Sequence, residues 1–126
     1  MSLEIKDRLE ATEGFDTVLR GGFRNVGITV DVGHLSFQSG AAYRPWGSLG
    51  GLIRHLGDAV VHVHVHDYDG ERDHIRIGAG SIDFLDTLAA LKAIGYDGAL
   101  CLELAPSPTL EADYIESRDR LAKLLA

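Results

Sequence analysis

Three short segments restrict the fold of this chain more than any other feature: 28–34 (ITVDVGH), 60–70 (VVHVHVHDYDG) and 99–104 (ALCLEL). Each reads as a β-strand with an Asp, a His or a Glu at its carboxyl end, where parallel α/β proteins gather their ligands. Between them lie helical patterns. Leu49, Leu52, Ile53 and Leu56 recur at i, i+3, i+4 and i+7, and Phe84, Leu88, Leu91 and Ile94 form a second stripe. That second helix opens at Ser81 or Asp83 and closes at Gly95. Leu3 to Leu19 is expected to be a first helix. A last one should start at Ser107-Pro108, with Leu110, Tyr114, Leu121 and Leu125 on its apolar side. Strands separated by helices imply parallel pairing with right-handed crossovers.

The side-chain period of two adds a second constraint. It sets Val61, Val63 and Val65 against His62, His64 and His66, Leu100, Leu102 and Leu104 against Cys101 and Glu103, and Ile28 and Val30 against Thr29 and Asp31. One sheet face is therefore aliphatic and should be covered by the helices. The other is polar. An open parallel sheet covered on both sides is usually apolar on both faces, so a polar second face suits the interior of a barrel near its active end. The expected fold class is α/β, a partial TIM (β/α) barrel of about three parallel strands alternating with about four helices, with residues 1–126 as a single domain.

Size and charge exclude several function classes. A chain of 126 residues suffices for one compact domain. No apolar run approaches the roughly 18 residues of a membrane span, and no secretory signal is apparent. A net charge of −7 with scattered arginines is poorly suited to tracking a phosphate backbone, so nucleic acid is not an expected partner. The one cysteine, Cys101, rules out an intrachain disulfide, and a reducing, cytoplasmic setting is expected.

Asp31 and His34 put a carboxylate at a strand end and an imidazole in the turn after it, both ligand types for divalent cations. The alternative is a turn-capping Asp and a surface His. His62, His64 and His66 share a strand face, about 6.5–7 Å apart along it. This favours one ligand with neighbours that orient it or touch substrate, against a hydrogen-bonded ladder with no ion. Glu103, inside an apolar strand, needs a cation or a partner such as Arg76 or a His. Asp67, Asp69 and Glu71 read as solvated loop charges. His74 precedes Ile77-Gly78-Ala79-Gly80, whose glycines let the chain pass close to a bound molecule or form a turn. Cys101 reads as a packing residue.

Taken in order, GITVDVGH, HVHVHDYDG-x-x-x-H-x-x-x-GAGSIDF and GYDGALCLEL resemble the sugar phosphate isomerase/epimerase family, xylose-isomerase-like TIM barrels with apurinic-site endonucleases as relatives. The resemblance runs from about Asn25 to Leu104 and implies that the chain is equivalent to the C-terminal part of such a barrel. It implies one divalent ion (manganese, magnesium, cobalt or zinc) held by Asp31, His64 and Glu103. His34 and His74 are then substrate contacts, with Asp67 as a further one, and His62 and His66 are supporting neighbours. Glu103 is also the catalytic proton carrier, next to a carbonyl that the metal polarises in a small sugar or keto acid. The family's other metal-binding glutamate belongs to the strand before that of Asp31. That strand and its glutamate are expected to be absent here, the chain beginning with the helix that would follow them. A non-catalytic binding or assembly module is the alternative, and an apurinic-site endonuclease relative a lesser one. Unpaired edge strands point to a homodimer or larger homo-oligomer.

Overall fold

The computed structural model describes residues 2–4, 15–21 and 24–126. Four parallel strands form one sheet in the order β1-β2-β3-β4: β1 (Ser2–Glu4), β2 (Gly27–Asp31), β3 (Val60–Val65) and β4 (Leu100–Leu102). Helices α1 (Phe15–Gly21), α2 (Leu49–Leu56), α3 (Phe84–Ala93) and α4 (Leu110–Leu125) alternate with them. This is a segment of a TIM barrel, as the strand–helix alternation predicts.

The start of the chain departs from expectation. Ser2–Glu4 is a strand, where a helix over Leu3–Leu19 was anticipated, and the described helix there is confined to Phe15–Gly21. The rest of that expected helix lies outside the described residues. β1 pairs with β2 in the register Ser2↔Gly27, Leu3↔Ile28 and Glu4↔Thr29. Contrary to the sequence expectation, a strand before that of Asp31 is therefore present, and it carries a glutamate. Three residues are too few to show an alternating pattern, and the backbone partner that makes them a strand is some 25 residues further on.

Beyond β1 the periodicities hold. Leu49, Leu52, Ile53 and Leu56 of α2 are all buried, as are Ile28 and Val30 of β2 and Val63 and Val65 of β3. Ser48 caps α2, its Oγ accepting the Gly51 N–H at 3.0 Å, a contribution of about 1 kcal/mol. Asp83, one of the two expected caps, opens α3 by accepting the Asp86 N–H at 3.0 Å. Asp86 in turn accepts the Gly50 N–H at 2.8 Å, so α2 and α3 are bonded to each other as well as packed. Pro108 precedes α4 instead of occupying its first turn, because the chain makes one more turn through Ser107 before Leu110.

Two apolar assignments fail. Val61 is 51% exposed, because the β2–β3 register steps from Ile28↔Val60 to Thr29↔His62 and leaves Val61 as the extra residue of a bulge. Leu125 is 55% exposed on the final turn of α4, past the buried Leu121.

Candidate metal centre

Strand register sets out the polar face in rows. Asp31 on β2 is level with His64 on β3, and His64 is level with Cys101 on β4. His62 and Thr29 lie one step towards the amino ends, with Glu4 at the register position beside Thr29. His66 and Glu103 lie one step beyond the row, where the Glu103 N–H bonds the Val65 carbonyl at 3.1 Å.

Asp31 is fully buried. Its Oδ1 accepts the His34 N–H at 2.8 Å and the His66 Nε2–H at 3.0 Å. Its Oδ2 is buried and accepts no hydrogen bond among the described residues, with His34 Nδ1 at 3.1 Å and His64 Nδ1 at 3.8 Å. Burial alone would push this carboxyl up. The hydrogen bonds from His66 and from the His34 backbone, with the charges of those two rings, more than offset it, so the group is held below the usual carboxylate range. His66 shifts the opposite way. Burial opposes its charged form, but the bond to Asp31 and that carboxylate's charge prevail and raise it.

The geometry selects a tautomer for His66. Its Nδ1 accepts the His74 N–H at 2.9 Å, which needs a lone pair there and leaves the proton on Nε2, facing Asp31. The Asp67 carbonyl lies 3.2 Å from the same Nδ1, a bond open only to the protonated ring. Gly33 explains why a glycine stands in the D-V-G-H run: a Cβ there would come within 1.8 Å of His66 Cε1. His74 sits at φ 52°, in the left-handed region, and its ring stacks on His66 at 4.0 Å between centroids. His34 meets both rings edge-on, at 5.2 Å and 5.1 Å.

His64 Nδ1 lies 3.4 Å from Glu103 Oε2. One ligand atom from each of Asp31, His64 and Glu103 falls within 4.8 Å of the others. A metal–ligand bond of about 2.1 Å allows ligand atoms up to about 4.2 Å apart across the ion. The 3.4 and 3.8 Å separations already satisfy that limit. With a buried carboxylate oxygen that accepts no hydrogen bond, this set fits a divalent cation. Arg76, the other partner considered for Glu103, pairs instead with Glu116 at 3.0 Å.

The structure draws Asp31, His64 and Glu103 together, with His34, His66 and His74 as an imidazole wall beside them and His62 edge-on to His64 at 4.8 Å. Asp67 behaves differently. It is not a solvated loop charge but 1% exposed, and both its oxygens are taken by backbone. Oδ1 accepts the N–H of Tyr68 (2.8 Å) and Ile82 (3.2 Å), and Oδ2 those of Gly78 (2.8 Å) and Gly80 (3.0 Å). What the glycines of Ile77-Gly78-Ala79-Gly80 approach is therefore the chain's own carboxylate: a Cβ on Gly80 would lie 2.4 Å from Asp67 Oδ1. Sequence reasoning missed this clamp, the strand Ser2–Glu4 and the close approach of Gly33 to His66. The paired glycines were the available signal for the clamp.

Residues 10–124 match the family model described as the xylose isomerase-like TIM barrel. Over 107 residues the chain is 31% identical to D-psicose 3-epimerase of Ruminiclostridium cellulolyticum, covering 80% of this chain and 33% of that protein. Over 81 residues it is 38% identical to an uncharacterized protein of Methanocaldococcus jannaschii, covering 64% and 26%. The crystal structure of D-psicose 3-epimerase from Clostridium cellulolyticum H10 with D-tagatose has the same fold, with a TM-score of 0.77 at 22% identity over 98% of this chain and 48% of that one. The chain thus spans about a quarter to a third of the length of these curated relatives, and about half of the solved one. Among the described residues no helix is long and apolar enough to cross a membrane.

Proposed function

We propose that this chain, which belongs to the xylose isomerase-like TIM barrel family, carries the metal-binding and proton-transferring part of a sugar isomerase or epimerase site. The observation that carries the reading is the convergence of Asp31, His64 and Glu103 around a buried carboxylate oxygen that accepts no hydrogen bond among the described residues. Two carboxylates and one imidazole suit manganese, magnesium or cobalt. When bound, such an ion would polarise the carbonyl of a small ketose or keto acid.

The chain's own residues divide the remaining work. Asp31, buried and kept ionised by its hydrogen bonds, serves as a fixed anchor. His66 orients it. Glu103 is 38% exposed at the side chain, so it can reach both the ion and a substrate, and it moves the proton on the carbon next to the carbonyl. His34 and His74, at the partly open side of the wall, donate hydrogen bonds to sugar oxygens. By backbone register alone we assign the family's other glutamate to Glu4, which stands beside Thr29 on the strand before that of Asp31. Asp67 holds the loop that carries Gly78 and Gly80 and is not assigned to substrate. Self-association belongs to the same proposal, because β1 and β4 are the edges of the described sheet and such edges pair with further strands.

The test is deuterium exchange. D-psicose is incubated with the manganese-loaded chain in deuterium oxide, and label at the carbon beside the carbonyl is followed by NMR. Exchange should fall by about 10²–10⁴-fold in Glu103→Gln. Exchange that is indifferent to this substitution refutes the assignment. No exchange by a chain with demonstrated manganese binding leaves the non-catalytic binding module as the function.

A further inference from the structure

The row that holds the metal centre contains a second donor set, of different chemistry. His64 has Asp31 level with it on one side and Cys101 level with it on the other. His62 lies two residues earlier on the same strand, with its ring edge-on to that of His64 at 4.8 Å between centroids. One ligand atom from each of His62, His64 and Cys101 falls within 4.8 Å of the others, and all three residues are partly exposed. Cys101 has no disulfide partner.

We propose that His62, His64 and Cys101 form a site for a soft, thiol-seeking cation such as cadmium or zinc, and that this site competes with the Asp31–His64–Glu103 centre for His64. The physical basis is donor softness. Two imidazoles and a thiolate select zinc-like and softer ions, whereas the oxygen-rich set selects manganese and magnesium. Packing alone accounts for one cysteine in a strand. It does not account for two imidazoles on the neighbouring strand that each bring a ring nitrogen within 4.8 Å of its sulfur. Binding expels the thiol proton as the sulfur becomes a ligand. A soft ion there draws His64 away from Asp31 and Glu103, so the two occupancies exclude each other. The soft site itself needs neither Asp31 nor Glu103, so it stands or falls apart from the proposed function.

Cobalt(II) and cadmium are the probes. The chelator-stripped chain titrated with cobalt should develop a thiolate-to-cobalt charge-transfer band, absent in Cys101→Ser. Cadmium affinity by calorimetry should weaken by more than about tenfold in both Cys101→Ser and His62→Gln, since losing even a neighbour of a ligand costs about 10–100-fold. Cadmium should displace manganese, followed by its electron paramagnetic resonance signal, from the wild type but not from Cys101→Ser. Circular dichroism checks that each variant is folded. Absence of the band, or cadmium affinity unchanged by His62→Gln in a folded variant, overturns the site. Cadmium and manganese bound together would overturn the sharing of His64. A chain that binds cadmium through Cys101 but takes up no manganese would keep this site and remove the proposed hard-metal centre.

Discussion

Replacing Asp67 by Asn tests whether this buried carboxylate is a loop clamp. The substitution keeps shape and volume, so no cavity forms. It exchanges one acceptor oxygen for an NH2 donor. Each oxygen now accepts two backbone N–H groups, so whichever way the amide turns, two donors face a donor. The weaker pair to give up is on Oδ1, where the Ile82 contact is 3.2 Å. An unsatisfied buried donor costs about 1–3 kcal/mol, and the exposed side of the Tyr68 turn lets water relieve part of this. A loss of about 2–4 kcal/mol follows, a large part of the ~5–15 kcal/mol that holds a domain together. With a urea slope of about 2 kcal/mol per molar, the unfolding midpoint should fall by about 1–2 M. Amide exchange at Gly78, Gly80 and Ile82 should accelerate more than at the β3 core. A midpoint within about 0.3 M of wild type, with those amides still protected, would refute the clamp and return Asp67 to the list of candidate substrate contacts.

Other expectations are more local. Gly33→Ala should push the His66 ring off Asp31, at an overpacking cost of about 1–3 kcal/mol, and should weaken manganese binding by about 10–100-fold. Unchanged affinity would mean that His66 does not orient the ligand. Glu4→Gln should lower manganese affinity to a similar degree, read by electron paramagnetic resonance, if the register assignment is right; no effect removes Glu4 from the site. Asp69, held by the N–H groups of Arg72 and Glu71 and by the Arg72 guanidinium, has its carboxyl lowered to about 2. Because the folded value lies below the ordinary 3.8, what this group contributes is fully present above about pH 3.8 and is lost as pH falls through about 2. A carboxyl carbon NMR titration with its midpoint near 3.8 would contradict the turn geometry.

The parts of this molecule that were legible in its sequence obey local periodicity. Strands β2 to β4, helices α2 and α3 and the polar face bearing Asp31, His64 and Glu103 all follow from spacings of two or 3.6 residues, which report burial directly. What was not legible depends on distant backbone. β1 exists because Ser2–Glu4 has Gly27–Thr29 as its partner, and three residues leave no pattern. Val61 was misplaced because a bulge interrupts the alternation at the first residues of β3. Asp67 looked like a solvated charge because three of its four donors lie 11 to 15 residues further on, in a loop whose glycines were visible but whose target was not. The His66 tautomer rests on the backbone N–H of His74, eight residues away and at a left-handed φ.

The most direct test of the metal centre is a manganese titration of the chelator-stripped chain, read by electron paramagnetic resonance, for wild type, Asp31→Asn, Glu103→Gln and Cys101→Ser. One manganese per chain is expected in wild type and in Cys101→Ser, with affinity falling by more than about tenfold in each carboxylate variant. No saturable binding in the wild type, or equal affinity in all four proteins, would contradict this centre.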